Sequence, residues 1–74
     1  MFEIQLILEN KFGIFVGRKA KLNEEQYSNL QSMAKNFYEN GGFELTLEDD
    51  EFVVFPPNVV RESILRIKKN NPDV

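Results

Sequence analysis

The sequence predicts an α+β domain: an antiparallel-rich sheet of four or five strands with one long helix packed on one face. Three observations predict it. Apolar and polar residues alternate over residues 2–8 and again over 43–48, the period-two pattern of half-buried strands. Between them lies one helical pattern with a strong start signal. The segments then run β-β-α-β-β, followed by a short helical turn plus a strand, or by a second helix. That order places the strands in hairpins and the helix as their cover.

In the first strand Phe2, Ile4, Leu6 and Leu8 share one face, and Glu3, Gln5, Ile7 and Glu9 share the other. Asn10-Lys11 breaks the pattern, and Phe12 to Lys19 resumes it. Two such runs joined by a short Asn-containing turn predict a β-hairpin. The expected inward set of the return strand is Phe12, Ile14 and Val16, with Gly13, Phe15 and Gly17 opposite. The two glycines point to a bulge or a close backbone approach.

The helix start is the clearest local signal. Asn23 is a good N-cap and Gln26 follows three residues later, the spacing of a capping box. Leu22 and Tyr27 stand where a hydrophobic staple needs them, and Glu24 and Glu25 favour the helix dipole. Tyr27, Leu30, Ala34 and Phe37 recur at helical spacing with Met33 beside them, and Gly41-Gly42 is the stop signal. The helix is expected over residues 24–39.

A second hairpin follows. Phe43, Leu45 and Leu47 alternate with Glu44, Thr46 and Glu48; Asp49-Asp50 turns; Glu51 to Phe55 returns. Pro56-Pro57 ends that strand, because proline cannot donate to the ladder. The last segment fits two patterns. Val60, Ile64 and Ile67 suit a helix, whereas Leu65 and Ile67 alternating with Arg66 and Lys68 suit a strand. β-Branched content favours one helical turn at 57–62 and a strand at 63–69. Residues 70–74 are expected to fray.

The 74 residues leave room for a single domain over 1–74. There is no cysteine and no histidine. This rules out disulfides, thiolate metal sites and the usual general base near neutral pH. The lack of cysteine suits a reducing compartment. The start, Met1-Phe2-Glu3-Ile4-Gln5, lacks the basic region of a signal peptide, and no apolar run nears the ~20 residues of a membrane span. A cytoplasmic location without membrane contact is expected. Plentiful Asn, Lys, Ile, Phe and Glu are the usage of AT-rich coding sequence, pointing to a low-GC bacterium or a phage.

Catalysis finds little support. Ser28, Ser32 and Ser63 have no histidine to activate them, and Gly13-Ile14-Phe15-Val16-Gly17 is not a phosphate loop. No enzymatic activity, cofactor or metal site is expected. The acidic turn Glu48-Asp49-Asp50-Glu51 lacks the spaced ligands of a calcium loop and is read as a solvated turn.

One helix covers one side of a sheet, and the side left in water should be polar. Yet the expected outward register of the first hairpin includes Ile7 and Phe15. The fourth strand must turn either Val53 with Phe55, or Phe52 with Val54, the same way. Leu65 joins them if the last segment is a strand, whereas a C-terminal helix would cover this face. Gathered apolar side chains on an open face mark an interaction surface. The expected contact residues are therefore Ile7, Phe15, Val53 and Phe55. The leading expectation is a protein–protein interaction module that docks on a partner protein or on a second copy of itself. A phage or mobile-element accessory protein acting on a host protein would suit the size and composition. The alternative is a weak, salt-sensitive nucleic-acid binder using Arg18, Lys19, Lys21, Arg66, Lys68 and Lys69. A net charge of −3 speaks against it. The same lysines suit an edge strand guarded against aggregation.

Overall fold

The computed structural model describes residues 1–39 and 41–70. Its elements run β1 (Phe2–Asn10), β2 (Gly13–Val16), β3 (Ala20–Leu22), α1 (Glu24–Lys35), a 3-10 turn (Phe37–Glu39), β4 (Phe43–Thr46), β5 (Phe52–Phe55), α2 (Pro57–Arg61) and β6 (Ile64–Asn70). The fold is α+β, as the sequence predicts, with two antiparallel sheets.

The main sheet is built around β1. One side pairs with β6 along nearly its whole length, from Glu3 opposite Asn70 to Glu9 opposite Ile64. The other side pairs with β2 at one end and β3 at the other. β2 and β3 are one return strand interrupted by a bulge. Ile7 faces Val16 and Ile4 faces Ala20, so Gly17, Arg18 and Lys19 stand against only Leu6 and Gln5. The extra residue frees backbone groups to pair elsewhere. Arg18 N–H donates to the Thr46 carbonyl (3.1 Å), Glu48 N–H donates to the Val16 carbonyl (3.2 Å), and Gly17 bridges Leu47. The second sheet, the β4–β5 hairpin, is thereby attached at the bulge.

The core lies between the two sheets. Leu8 and Val60 are fully buried, and Phe37, Leu45, Phe55 and Val59 close around them. Leu6, Phe15, Phe43, Leu47, Val53 and Leu65 pack against this cluster from its margin. Phe55 meets Phe15 edge-on at 5.1 Å and Phe37 meets Phe43 edge-on at 5.0 Å, the tilted geometry aromatic quadrupoles prefer.

The capping box at Asn23 and Gln26 forms as the spacing predicts. The helix itself is shorter than expected. It ends at Lys35, because Asn36 leaves helical geometry and donates to the Met33 carbonyl at 3.1 Å. The 3-10 turn that follows carries Phe37 into the core. α1 buries no residue completely. It rests on the covered face of the main sheet at the Phe2 end, where the Tyr27 ring lies 5.6 Å from that of Phe2. Lys69 Nζ sits over both rings, 3.8 Å from the first and 5.0 Å from the second. The segment 57–69 takes the turn-plus-strand form, and Asn70 completes β6 rather than fraying. The remaining expected tail, 71–74, lies outside the described residues.

Candidate interaction face

The covered face of the main sheet carries Phe2, Ile4, Leu6, Leu8, Phe15, Leu65 and Ile67, placed there by the pairing register. The opposite face has no layer over it among the described residues. Strand alternation assigns its rows. Ile14, Glu9 and Ile64 stand side by side; Val16, Ile7 and Arg66 form the next row; Gln5 pairs with Lys68; and Lys21, Glu3 and Asn70 complete the sheet. The apolar side chains therefore gather at one end of this open face, around the Glu9–Arg66 pair, and the other end is polar and charged.

The apolar end is well exposed. Ile14 is 60% exposed and Ile64 is 57% exposed, and Phe12 at the hairpin tip is 66% exposed. Ile7 and Val16 are half-buried between them. Where this end meets the β4–β5 turn, Ile14, Val16 and Leu47 floor an open groove of ≈ 270 Å³ walled by Glu48 and Asp49.

Of the four contact residues expected from sequence, only Ile7 lies on this face. Phe15 is half-buried against Phe55 on the covered side, the reverse of its expected direction. The reason is the turn. Asn10 pairs with Gly13, so the two loop residues are Lys11 and Phe12, not Asn10 and Lys11. Asn10 Oδ1 accepts from Phe12 N–H at 2.8 Å, and Gly13 takes φ +138°, a conformation that favours glycine. Two loop residues set the even-numbered residues of β1 opposite the odd-numbered residues of β2, so Phe15 joins Leu8 on the covered side, and an inward Ile14 and Val16 would need a loop of odd length. Ile14 and Val16 consequently face out, and Phe12 leaves the inward set.

Val53 and Phe55 are corrected in the same way. Phe43 faces Phe55 and Leu45 faces Val53 on the core side, leaving Phe52 and Val54 outward at 59% and 60% exposed. The sequence admits both phases of this strand, and the inward one is the pair expected as contacts. Leu65 also belongs to the covered face, opposite Leu8.

The six basic residues do not act as one patch. Arg18 pairs with Asp50 at 3.2 Å, Lys19 approaches Glu3 at 4.0 Å, and Arg66 holds Glu9 at 2.6 Å. Lys69 lies over two rings on the covered side, and of the six, Lys21 and Lys68 stand on the open face with no carboxylate of the described residues within ion-pair distance. The acidic turn is equally divided. Asp49 accepts from Glu51 N–H at 3.1 Å, Asp50 meets Arg18, and the Glu48 carboxylate accepts from the Gln5 side-chain amide.

Gln5 is the residue sequence reading missed. Though polar, it is 5% exposed, and its amide also donates to the Gly17 carbonyl at 3.1 Å. It ties the main sheet to the bulge and to the second hairpin at one point. No local signal announces this, since a glutamine on a strand's polar side ordinarily faces water.

Set against models of known protein families, curated proteins and solved structures, the chain matches none of them.

Proposed function

We propose that this domain is a cytoplasmic protein-interaction module whose open sheet face docks on a partner protein. One observation carries the reading: Ile7, Ile14, Val16 and Ile64 stand together on an uncovered face with Phe12 at its rim. A sheet face turned to water is ordinarily polar, and clustered exposed apolar side chains gain most from burial against another surface. The Arg66–Glu9 pair among them and the charged rows beside them, with Lys68, Glu3 and Lys21, would orient the partner. The groove by Glu48 and Asp49 suits a long basic side chain, its stem on Leu47 and Val16 and its cation at the carboxylates.

The nucleic-acid alternative is the weaker reading. Four of its six cations are engaged by carboxylates or rings, and a binder of phosphates needs them free. An accessory role in a phage or mobile element acting on a host protein remains the biological setting that composition favours.

The test is affinity capture from lysate of the source organism, with and without nuclease, using the native chain and an Ile14→Ser/Ile64→Ser variant. A protein captured by the native chain in both lysates, and lost by the variant, is the expected result. Because both side chains are more than half exposed, the variant's stability should stay within about 0.5 kcal/mol of the parent. Capture that vanishes with nuclease, or that the variant retains in full, would refute the proposed face.

A further inference from the structure

The second sheet has a free edge whose backbone is complementary to itself. Just before β5, the Glu51 carbonyl accepts from Leu47 N–H at 2.8 Å, so residues 47 and 51 are a hydrogen-bonded pair. Antiparallel pairs alternate between bonded and non-bonded. Val53 and Phe55 therefore bond to Leu45 and Phe43, while Phe52 and Val54 turn their N–H and C=O groups away from β4. The far side of β4 confirms the phase, since there the Thr46 carbonyl takes the Arg18 N–H. Among the described residues no strand pairs with the outer side of β5.

From this edge we infer that two copies of the chain associate by antiparallel pairing of β5 with β5. A two-fold axis perpendicular to the sheet must relate the strands. With the axis through Val53, Phe52 faces Val54 of the other copy and Val54 faces its Phe52. All four outward N–H groups then meet all four outward carbonyls, with none left over. Moving the axis to Val54 sets Phe52 against Pro56, which has no N–H and whose carbonyl already accepts from Val59 and Val60 N–H at 3.0 Å. The first register is the one that satisfies the edge.

Side chains and charges agree with it. On the outer face each row reads Glu44, Val54, Phe52 of the second copy, then Thr46 of the second copy, so no like charges face each other. Phe52 and Val54 gain an apolar cross-strand neighbour. The acidic turn of each copy comes beside the Pro56–Arg61 end of the other, whose one charge is the cation Arg61. The edge of β6 is less suited to such pairing. An axis through Ile67 would set Arg66 against Lys68, and an axis through Arg66 would set it against itself. Such cations are how natural edges resist association, and β5 has none. Four-residue strands cover well under the roughly 1,200 Å² of a standard stable interface, so the dimer should depend on concentration.

Sedimentation equilibrium from micromolar to millimolar protein tests this, comparing the native chain with Val54→Lys and Phe52→Lys. The native mass should rise from 8.7 kDa toward twice that value. Both variants should remain monomeric, with native circular dichroism to show that they fold. Amide exchange at Phe52 and Val54 should slow as concentration rises, while Val53 and Phe55, already bonded to β4, stay unchanged. A native chain monomeric at millimolar concentration, or folded variants that associate as well as the parent, would overturn the inference. An Ile64→Lys change on the open face should leave association intact, which separates this edge from the face proposed for the partner.

Discussion

Gly17 stands where three strands meet, and its missing side chain is what lets them meet. A Cβ there would lie 2.9 Å from Leu45 Cδ1 and 3.0 Å from the Leu6 carbonyl oxygen. The leucine methyl can rotate away, but the carbonyl is held, because it accepts from Gly17 N–H at 2.7 Å. Gly17→Ala should therefore cost about 1–3 kcal/mol, the range for overpacking a closed site. Urea unfolding measures it, and a loss below experimental error would show that the two sheets can separate slightly without penalty. Gly13 is a different case. No heavy atom lies within 4 Å of a Cβ built there, and its constraint is the backbone angle alone. Both glycines stand out in the sequence as interruptions of an alternating pattern, but only the packed structure distinguishes a crowding constraint from a conformational one.

At the scale of elements, α1 was the most legible feature and is among the least buried. Its start rests on neighbours in sequence: Gln26 N–H donates to Asn23 Oδ1 at 2.8 Å, and Asn23 N–H donates to Gln26 Oε1 at 2.9 Å. Asn23→Ala removes one half of this box and should cost about 1 kcal/mol. Because α1 carries no fully buried residue, the loss should appear chiefly as faster amide exchange in residues 24–28, with the sheet amides little changed. Equal acceleration throughout the protein would show that α1 and the sheets open as one unit. The hairpins were legible as strands, but their phases were not. Whether Phe15 or Ile14 faces the core turns on whether the loop holds an even or an odd number of residues, and both choices preserve the alternating pattern. For β5, Phe52, Val53, Val54 and Phe55 are all apolar, so sequence carries no phase at all. The second sheet was hidden for a similar reason. Its attachment depends on backbone pairing between Arg18 and Thr46, residues far apart in the chain whose side chains take no part in that bond.

For the molecule as a whole, the contrast between its surfaces matters more than its net charge. One face of the main sheet is filled by a hairpin, two short turns and the end of a helix; the other meets water with isoleucines around one ion pair at one end and mostly charged side chains at the other. A partner held by the apolar end should bind with little dependence on salt, since screening acts on charges and not on apolar burial. Titration of the captured partner at low and high ionic strength checks this. A steep loss of affinity with salt would move the contact to the charged rows and revive the phosphate-binding alternative.

The pairing of β1 with β6 has a consequence for the order in which the domain assembles. Strand β1 lies at the centre of the main sheet, yet the strand that completes one whole side of it begins only at Ile64. Leu8 is fully buried only once Val60 and Leu65 have arrived to close the core around it. During synthesis the first hairpin must therefore wait, with one backbone edge and one apolar face open, until nearly the entire described chain has left the ribosome. Contacts so distant in sequence slow folding toward the millisecond-to-second range of sheet proteins. A nascent chain arrested before Ile64 emerges should remain susceptible to protease, and one arrested after Asn70 has cleared the exit tunnel should resist it. The strand that stabilises the finished domain is, until then, its most adhesive part.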